Sequence, residues 1–357
     1  MRLISSPSCT RSSKGLLHQL LNTRLQAGVL LSGLLLTGCA TAPQTRQLTL
    51  ARPAGLPSTY EMEQVPFFPQ TRYQCGPAAL ATVLATHGVD ITPDILVKQV
   101  YVPDLKGSLP EEITASARRY GMLAYPLAPA LTDILTEVAH GHPVLVFQNL
   151  GLRWLPRRHF AVVIGYDLEA GELLLRSGST RRRRTALSAF ERTWARTQHR
   201  AWVILPAGAV PATAEPLAYL RAAHDLEQVA SPAAARAAWL AGTRTWPDSF
   251  RAWMALGNSH YAAHEFSQAV AAFRRAARLA PDRSAGWNNL AYALLKHRCP
   301  QQARVAASCA RQLAPDDGQV RQTVMEIDRL ATGRDAAHCH ALACPAPHSA
   351  VMPPDRP

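Results

Sequence analysis

The stretch Val65–Leu80, VPFFPQTRYQCGPAAL, decides how the first half of this chain is read. An apolar run closes on Gln70, and after four further residues Cys75 is followed directly by Gly76, Pro77 and small helix-forming residues. Proline near a helix start and the run AALATVLATH after it place Cys75 at a helix N-terminus. Backbone N–H groups there have no intrahelical acceptor, so they point toward the sulfur and favour a thiolate. The competing reading is a small buried hydrophobe, the commonest fate of an unpaired cysteine.

A nucleophilic thiol also needs a base, and His159 is the candidate because it opens the strand-like run RHFAVVIGYD. His87, His140 and His142 fall at helix ends and in a turn, where they read as ordinary surface residues. Around these positions the pattern is helices first and strands after. Pro77 to Gly88, Thr92-Pro93 onward, PEEITASARRYG and LTDILTEVAHG carry helix signals, whereas HPVLVFQNL, RHFAVVIGYD, GELLLRSG and RAWVILP are strand-like, with LEAGE as a hairpin turn. The expected unit is an α+β domain over 59–206, helices packed on an antiparallel sheet.

At VPFFPQ, QCGPAAL and RHFAVVIGYD the domain resembles the C39-like cysteine peptidases of the papain-like group, with Gln70, Cys75 and His159 in the family's order. The resemblance covers residues 60–206 and implies a fold and a chemistry. Cys75 is the implied nucleophile, His159 the general base and then acid, and Gln70 an oxyanion donor beside the Cys75 N–H. The implied reaction is hydrolysis of a peptide or amide bond through a thioacyl-enzyme, without a cofactor or metal. One element departs from the family pattern: where an orienting Asp is usual, ELLLRSGS places Ser177, and Asp167 sits too near the hairpin turn to substitute. Ser177 is therefore the fourth candidate site residue, as a weaker acceptor for the imidazole N–H. Two other readings stay open: a weak or inactive peptidase fold serving as a cell-envelope scaffold, and an acyl transferase using the same Cys-His chemistry.

After a linker at 207–215 the chain becomes rich in Ala, Arg and Trp and repeats itself. Trp253 and Trp287, Leu256 and Leu290, Ala269 and Ala303, and Ala276 and Ala310 are each 34 residues apart, and Pro247, Pro281 and Pro315 close successive units. This is the tetratricopeptide period, dividing 216–331 into repeats at 216–249, 250–283 and 284–317 plus a capping helix. Such repeats imply a protein partner. The tail, 332–357, has no periodicity and is expected to be disordered; its HCHALACP run lacks a standard zinc spacing.

The first 38 residues read as a targeting leader: Arg2, Arg11, Lys14 and Arg24 precede the apolar run AGVLLSGLLL, too short to span a bilayer. Its end, Leu36-Thr37-Gly38-Cys39, resembles a bacterial lipobox, which implies acylation of Cys39, a tether over 39–58, and residence on the periplasmic face of the outer membrane. Of the seven cysteines Cys9 would leave with the leader and Cys39 would be acylated, so Cys299, Cys309, Cys339 and Cys344 are free to pair and Cys75 is the odd one. The formal charge of +13 comes almost wholly from arginine, and an exported protein argues against nucleic acid as its partner. The run Arg181–Arg184 reads as a solvated turn, with anionic lipid, lipopolysaccharide or an acidic substrate as the functional alternative.

Overall fold

Strand β4, Arg158–Asp167, is buried from Phe160 through Tyr166, so both of its faces are covered, and the sheet is built outward from it. The computed structural model describes residues 42–344 apart from Arg72; the leader, Cys39 and residues 345–357 lie outside the described residues. The other strands are β1 (Thr59–Glu61), β2 (Met122–Pro126), β3 (Val144–Asn149), β5 (Glu172–Ser177), β6 (Thr180–Ala186) and β7 (Ala201–Pro206). They form one antiparallel sheet in the order β2-β7-β3-β4-β5-β6, with β1 also paired to β4. This is the α+β class expected from the sequence.

Before the sheet come α1 (Pro43–Leu50), α2 (Cys75–Thr86), α3 (Pro93–Val100) and α4 (Pro110–Arg119), and between its strands α5 (Leu131–Ala139) and α6 (Leu187–Ala195). Helix α2 is apolar along most of its length, with Gly76 through Leu84 buried, and it packs against β3, β4 and β5. Leu80 and Leu84 have no exposed surface, and truncating either to Ala would cost about 2–5 kcal/mol. That packing carries the N-terminus of α2 to the end of β4 where His159 lies.

Helix α1 corrects the expected tether. Its N-terminal N–H groups at Gln44 and Thr45 donate to the Glu191 carboxylate of α6 at 2.9 and 2.7 Å, and Leu48 is buried. A carboxylate at a helix start is the favourable sign of charge, but this one comes from far along the chain, which local periodicity does not show. Likewise Arg181–Arg184 is strand rather than turn. Arg182 pairs with Glu61 at 2.7 Å and Arg184 with Glu172, contacts that seat β6 against β5 and β1.

Among the described residues seven helices follow: α7 (Pro216–Glu227), α8 (Pro232–Thr245), α9 (Phe250–Ala262), α10 (Phe266–Leu279), α11 (Ser284–Lys296), α12 (Pro300–Leu313) and α13 (Gly318–Leu330). They stack as successive pairs, and equivalent bonds recur at the repeat period: the indole N–H of Trp253 donates to Pro247 O at 2.8 Å and that of Trp287 to Pro281 O at 3.0 Å. Gly257 is required because a Cβ there would meet the Phe273 ring at 2.5 Å. The first repeat shares the hydrophobic core of the sheet domain, with α7 packed on β2. The linker is fixed as well: Thr213 donates through its N–H and hydroxyl to buried Glu137 at 2.7 and 2.6 Å, and His142 Nδ1 lies 2.6 Å from the other carboxylate oxygen. His142 is thus a structural partner rather than an ordinary surface histidine.

The tail expected to be disordered is ordered through Cys344. Cys299 pairs with Cys339 and Cys309 with Cys344, at Cα separations of 5.7 and 5.1 Å, and Gln301 N–H donates to Asp335 at 2.7 Å. Two covalent staples hold a segment that has neither helix nor strand, so composition alone reads it as unstructured.

Candidate active site

The N-terminus of α2, the start of β4 and the β5–β6 turn meet at a cleft of about 750 Å³. Gln70, Cys75 and His159 all line it. Ser177 stands directly behind: His159 Nε2 lies 2.9 Å from its hydroxyl oxygen, and Ser177 is 5% exposed. In the tautomer whose Nε2–H donates to Ser177, Nδ1 is the unprotonated nitrogen and can accept a proton. Asp167 is elsewhere, its carboxylate accepting from the N–H groups of Glu169 and Ala170 in the hairpin.

The sheet register explains this convergence. His159, Ala161 and Val163 alternate onto one face of β4; Val163 is opposite Leu175 in β5, and Ser177 is two residues further on that same face. The turn that follows needs Gly178 at φ 61°, and Gly178 N–H donates to Gln70 Oε1 at 2.9 Å while Gln70 N–H donates to Gly178 O at 3.0 Å. Acceptance at Oε1 fixes which end of the Gln70 amide is the NH₂ group. One of its hydrogens goes to Phe160 O at 3.3 Å, leaving a second for the cleft. Buried Arg176 holds the segment leading to Gln70 by donating to Val65 O and Glu63 O at 2.8 and 3.0 Å. Sequence reading missed this residue, whose only signal was an arginine inside an otherwise apolar strand.

Between Gln70 and Cys75 the chain turns through Tyr73 at φ 69°, a left-handed conformation that is costly for a non-glycine residue. Gly76 then admits the neighbouring loop, since a Cβ on it would sit 2.4 Å from Ser108 Oγ. The electrostatics differ from the simple expectation of an activated thiolate. Burial pushes the Cys75 thiol up, against the N–H groups of Phe160, Gly76 and Cys75 itself, which favour the thiolate. Burial, followed by the charges of Arg183 and Arg157, pushes His159 down to about 4. Both groups rest neutral, so the arrangement suits proton transfer during attack rather than a preformed ion pair.

No metal ligand set faces the cleft among its lining residues. Elsewhere among the described residues Cys299, His338 and Cys339 bring candidate ligand atoms within 4.8 Å of one another, but their two sulfurs are joined in a disulfide.

Residues 62–202 match the model of the Peptidase_C39 like family, and residues 250–283 match that of the tetratricopeptide repeat. Among solved structures, the chain is similar to a putative C39-like peptidase from Bacillus anthracis, at 16% identity over 42% of this chain and 98% of that one, with a TM-score of 0.36. It is also similar to the peptidase domain of Streptococcus ComA, at 21% identity over 40% and 99% of the two chains, TM-score 0.34. A double glycine motif protease from an AMS/PCAT transporter, solved with its leader peptide, is 19% identical over 41% and 94%, TM-score 0.32. No curated protein matches the chain. The chain therefore joins a C39-like domain, helices on an antiparallel sheet, to a C-terminal array of tetratricopeptide-like helices.

Proposed function

We propose that residues 59–206 form a cysteine peptidase that hydrolyses peptide or amide bonds through a thioacyl-enzyme on Cys75. The observation that carries the reading is His159, held through Nε2 by Ser177 at 2.9 Å, in the cleft that Cys75 lines. His159 Nδ1 takes the thiol proton as the sulfur attacks the scissile carbonyl carbon. The oxyanion is met by the free Gln70 N–H and the Cys75 N–H, donors worth about 10²-fold to 10³-fold in rate. Collapse breaks the C–N bond and His159 returns the proton to the leaving amine. Water, deprotonated by the same ring, then opens the thioester and releases a carboxylate. Ser177 accepts from the imidazolium that forms at each stage, a neutral substitute for a carboxylate.

The repeats supply the surface for a protein partner. A pocket of about 340 Å³ lined by Asn258, Tyr261, Phe273, Asn289 and Tyr292 is the candidate contact region. The export reading extends to lipidation at Cys39 and residence at the periplasmic face of the outer membrane; two disulfides in the repeat region fit an oxidising compartment. No helix among the described residues is long and apolar enough to cross a membrane.

The neutral hydroxyl of Ser177 in place of an orienting carboxylate, together with the repeats, favours a second reading, a fold whose catalysis is weak and whose role is to organise partners through the repeats. Peptide-library cleavage by wild type and Cys75→Ala, read by mass spectrometry, separates the two. Products that vanish with Cys75→Ala support the peptidase. An absence of products at any peptide, with no acyl adduct on Cys75, supports the scaffold.

A further inference from the structure

Four arginines stand in sequence on β6, and the pleat gives Arg182 and Arg184 surroundings different from those of Arg183. Arg182 and Arg184 point to the face where Glu61, Glu172 and Asp167 wait, and each is engaged there by carboxylates. Arg183 lies opposite Leu175, which lies opposite Val163, so it shares the face of His159 and Ser177. It has no ion-pair partner among the described residues. Around the cleft itself Lys106, Arg157 and Arg158 contribute three more cations, and none of the described lining residues is acidic.

Such a distribution has an electrostatic cost, because like charges converge near a partly buried imidazole with no acidic side chain among the described lining residues. Arg157 lines the cleft together with His159, and Arg183 lies on the His159 face of the sheet; both charges help to hold the His159 pKa down. From these observations we propose that the cleft selects peptide segments bearing carboxylates beside the scissile bond, with Lys106, Arg157, Arg158 and Arg183 as the specificity-determining residues. The proposal rests on the peptidase reading for its bond-cleaving consequence, whereas the binding preference stands on charge and geometry alone. The partly enclosed walls keep these charges effective over a distance that bulk salt would screen within about 8 Å. Next to the cleft, the β3–β4 connection carries exposed Leu152, Trp154 and Leu155, so an acidic segment with flanking apolar residues fits best.

The test uses the full chain with Cys75→Ala, so that binding is read without turnover. Two short fluorescein-labelled peptides of Ala, Gly and Leu differ only in carrying Glu or Gln at alternate positions, and anisotropy is measured at low and near-physiological salt. The Glu peptide is expected to bind about tenfold or more tightly at low salt, with the advantage shrinking as salt rises. Arg157→Gln combined with Arg183→Gln should remove the preference, and Lys at both positions should restore it, a rescue that a merely structural role would not show. Equal binding of the two peptides, or a preference that survives the double Gln variant, overturns the proposal. Wild type with intact Cys75 then distinguishes the two levels. Preferential binding without cleavage counts against the peptidase alone, and equal cleavage of both peptides counts against the charge selection alone.

Discussion

Replacing Ser177 probes the least conventional part of the site. Its hydroxyl, 2.9 Å from His159 Nε2, is a neutral acceptor, and a neutral hydrogen bond contributes about 0.5–1.5 kcal/mol net. Converted at 1.36 kcal/mol per decade, Ser177→Ala should lower kcat by about 2-fold to 12-fold, far less than loss of the nucleophile. KM should hardly move, because Ser177 stands behind the ring and does not line the cleft. Ser177→Asp should act in the opposite direction. A carboxylate against Nε2 favours the imidazolium and lifts His159 from its resting value near 4. The acid limb of the kcat/KM profile, which follows the free enzyme's base, should move up correspondingly. Steady-state kinetics on a fluorogenic peptide across a pH series reads both effects. A Ser177→Ala enzyme losing a thousandfold or more would show that the hydroxyl does chemistry beyond orientation, and an unmoved acid limb in Ser177→Asp would remove His159 from the role of base.

Gly76→Ala should displace the loop that carries Ser108 and cost about 1–3 kcal/mol by overpacking, read as a lowered urea midpoint together with lost activity. Glu137→Ala removes the acceptor shared by Thr213 and His142 at a buried position; it should cost about 3 kcal/mol and free the linker to proteolysis, with the cleft unaffected. His159 holds a pKa lowered from its unfolded value of about 6.5 to about 4, so between those values the unfolded chain binds the extra proton. Stability should therefore fall as pH drops through that window, by up to about 3 kcal/mol, and His159→Gln should flatten that part of the urea-midpoint profile. Cys339→Ser, which opens a loop of 40 residues, should destabilise the repeat region by up to about 4 kcal/mol in the oxidised protein and by nothing under a thiol reductant.

The parts of the molecule legible in the sequence were those written at short range. The helix after Cys75, the strand after His159 and each repeat helix depend on neighbours a few positions apart, and the repeats then announce themselves by recurring every 34 residues. Even Ser177 was found by its place on the strand that follows β4. What escaped depends on groups distant in the chain. Helix α1 forms where Glu191 meets Gln44 and Thr45, 147 and 146 residues away. The tail is fixed by sulfurs 40 and 35 residues earlier. The arginine run is a strand because its backbone pairs with β5, and Glu61, 121 residues before Arg182, supplies one of its counter-ions. The direction of the thiol shift was missed for another reason. Helix-terminal N–H groups can be inferred from sequence, but the burial that outweighs them is a property of the packed cleft.

The central claim is that Cys75 carries an acyl group during turnover, and rapid-quench intact-mass analysis with a cleaved peptide tests it directly. The account predicts a transient mass increase equal to the N-terminal product acyl fragment, located on the tryptic peptide containing Cys75, sensitive to hydroxylamine, and absent in Cys75→Ala and His159→Ala. Continued cleavage in Cys75→Ala, or turnover by wild type with no adduct at any quench time, would contradict it.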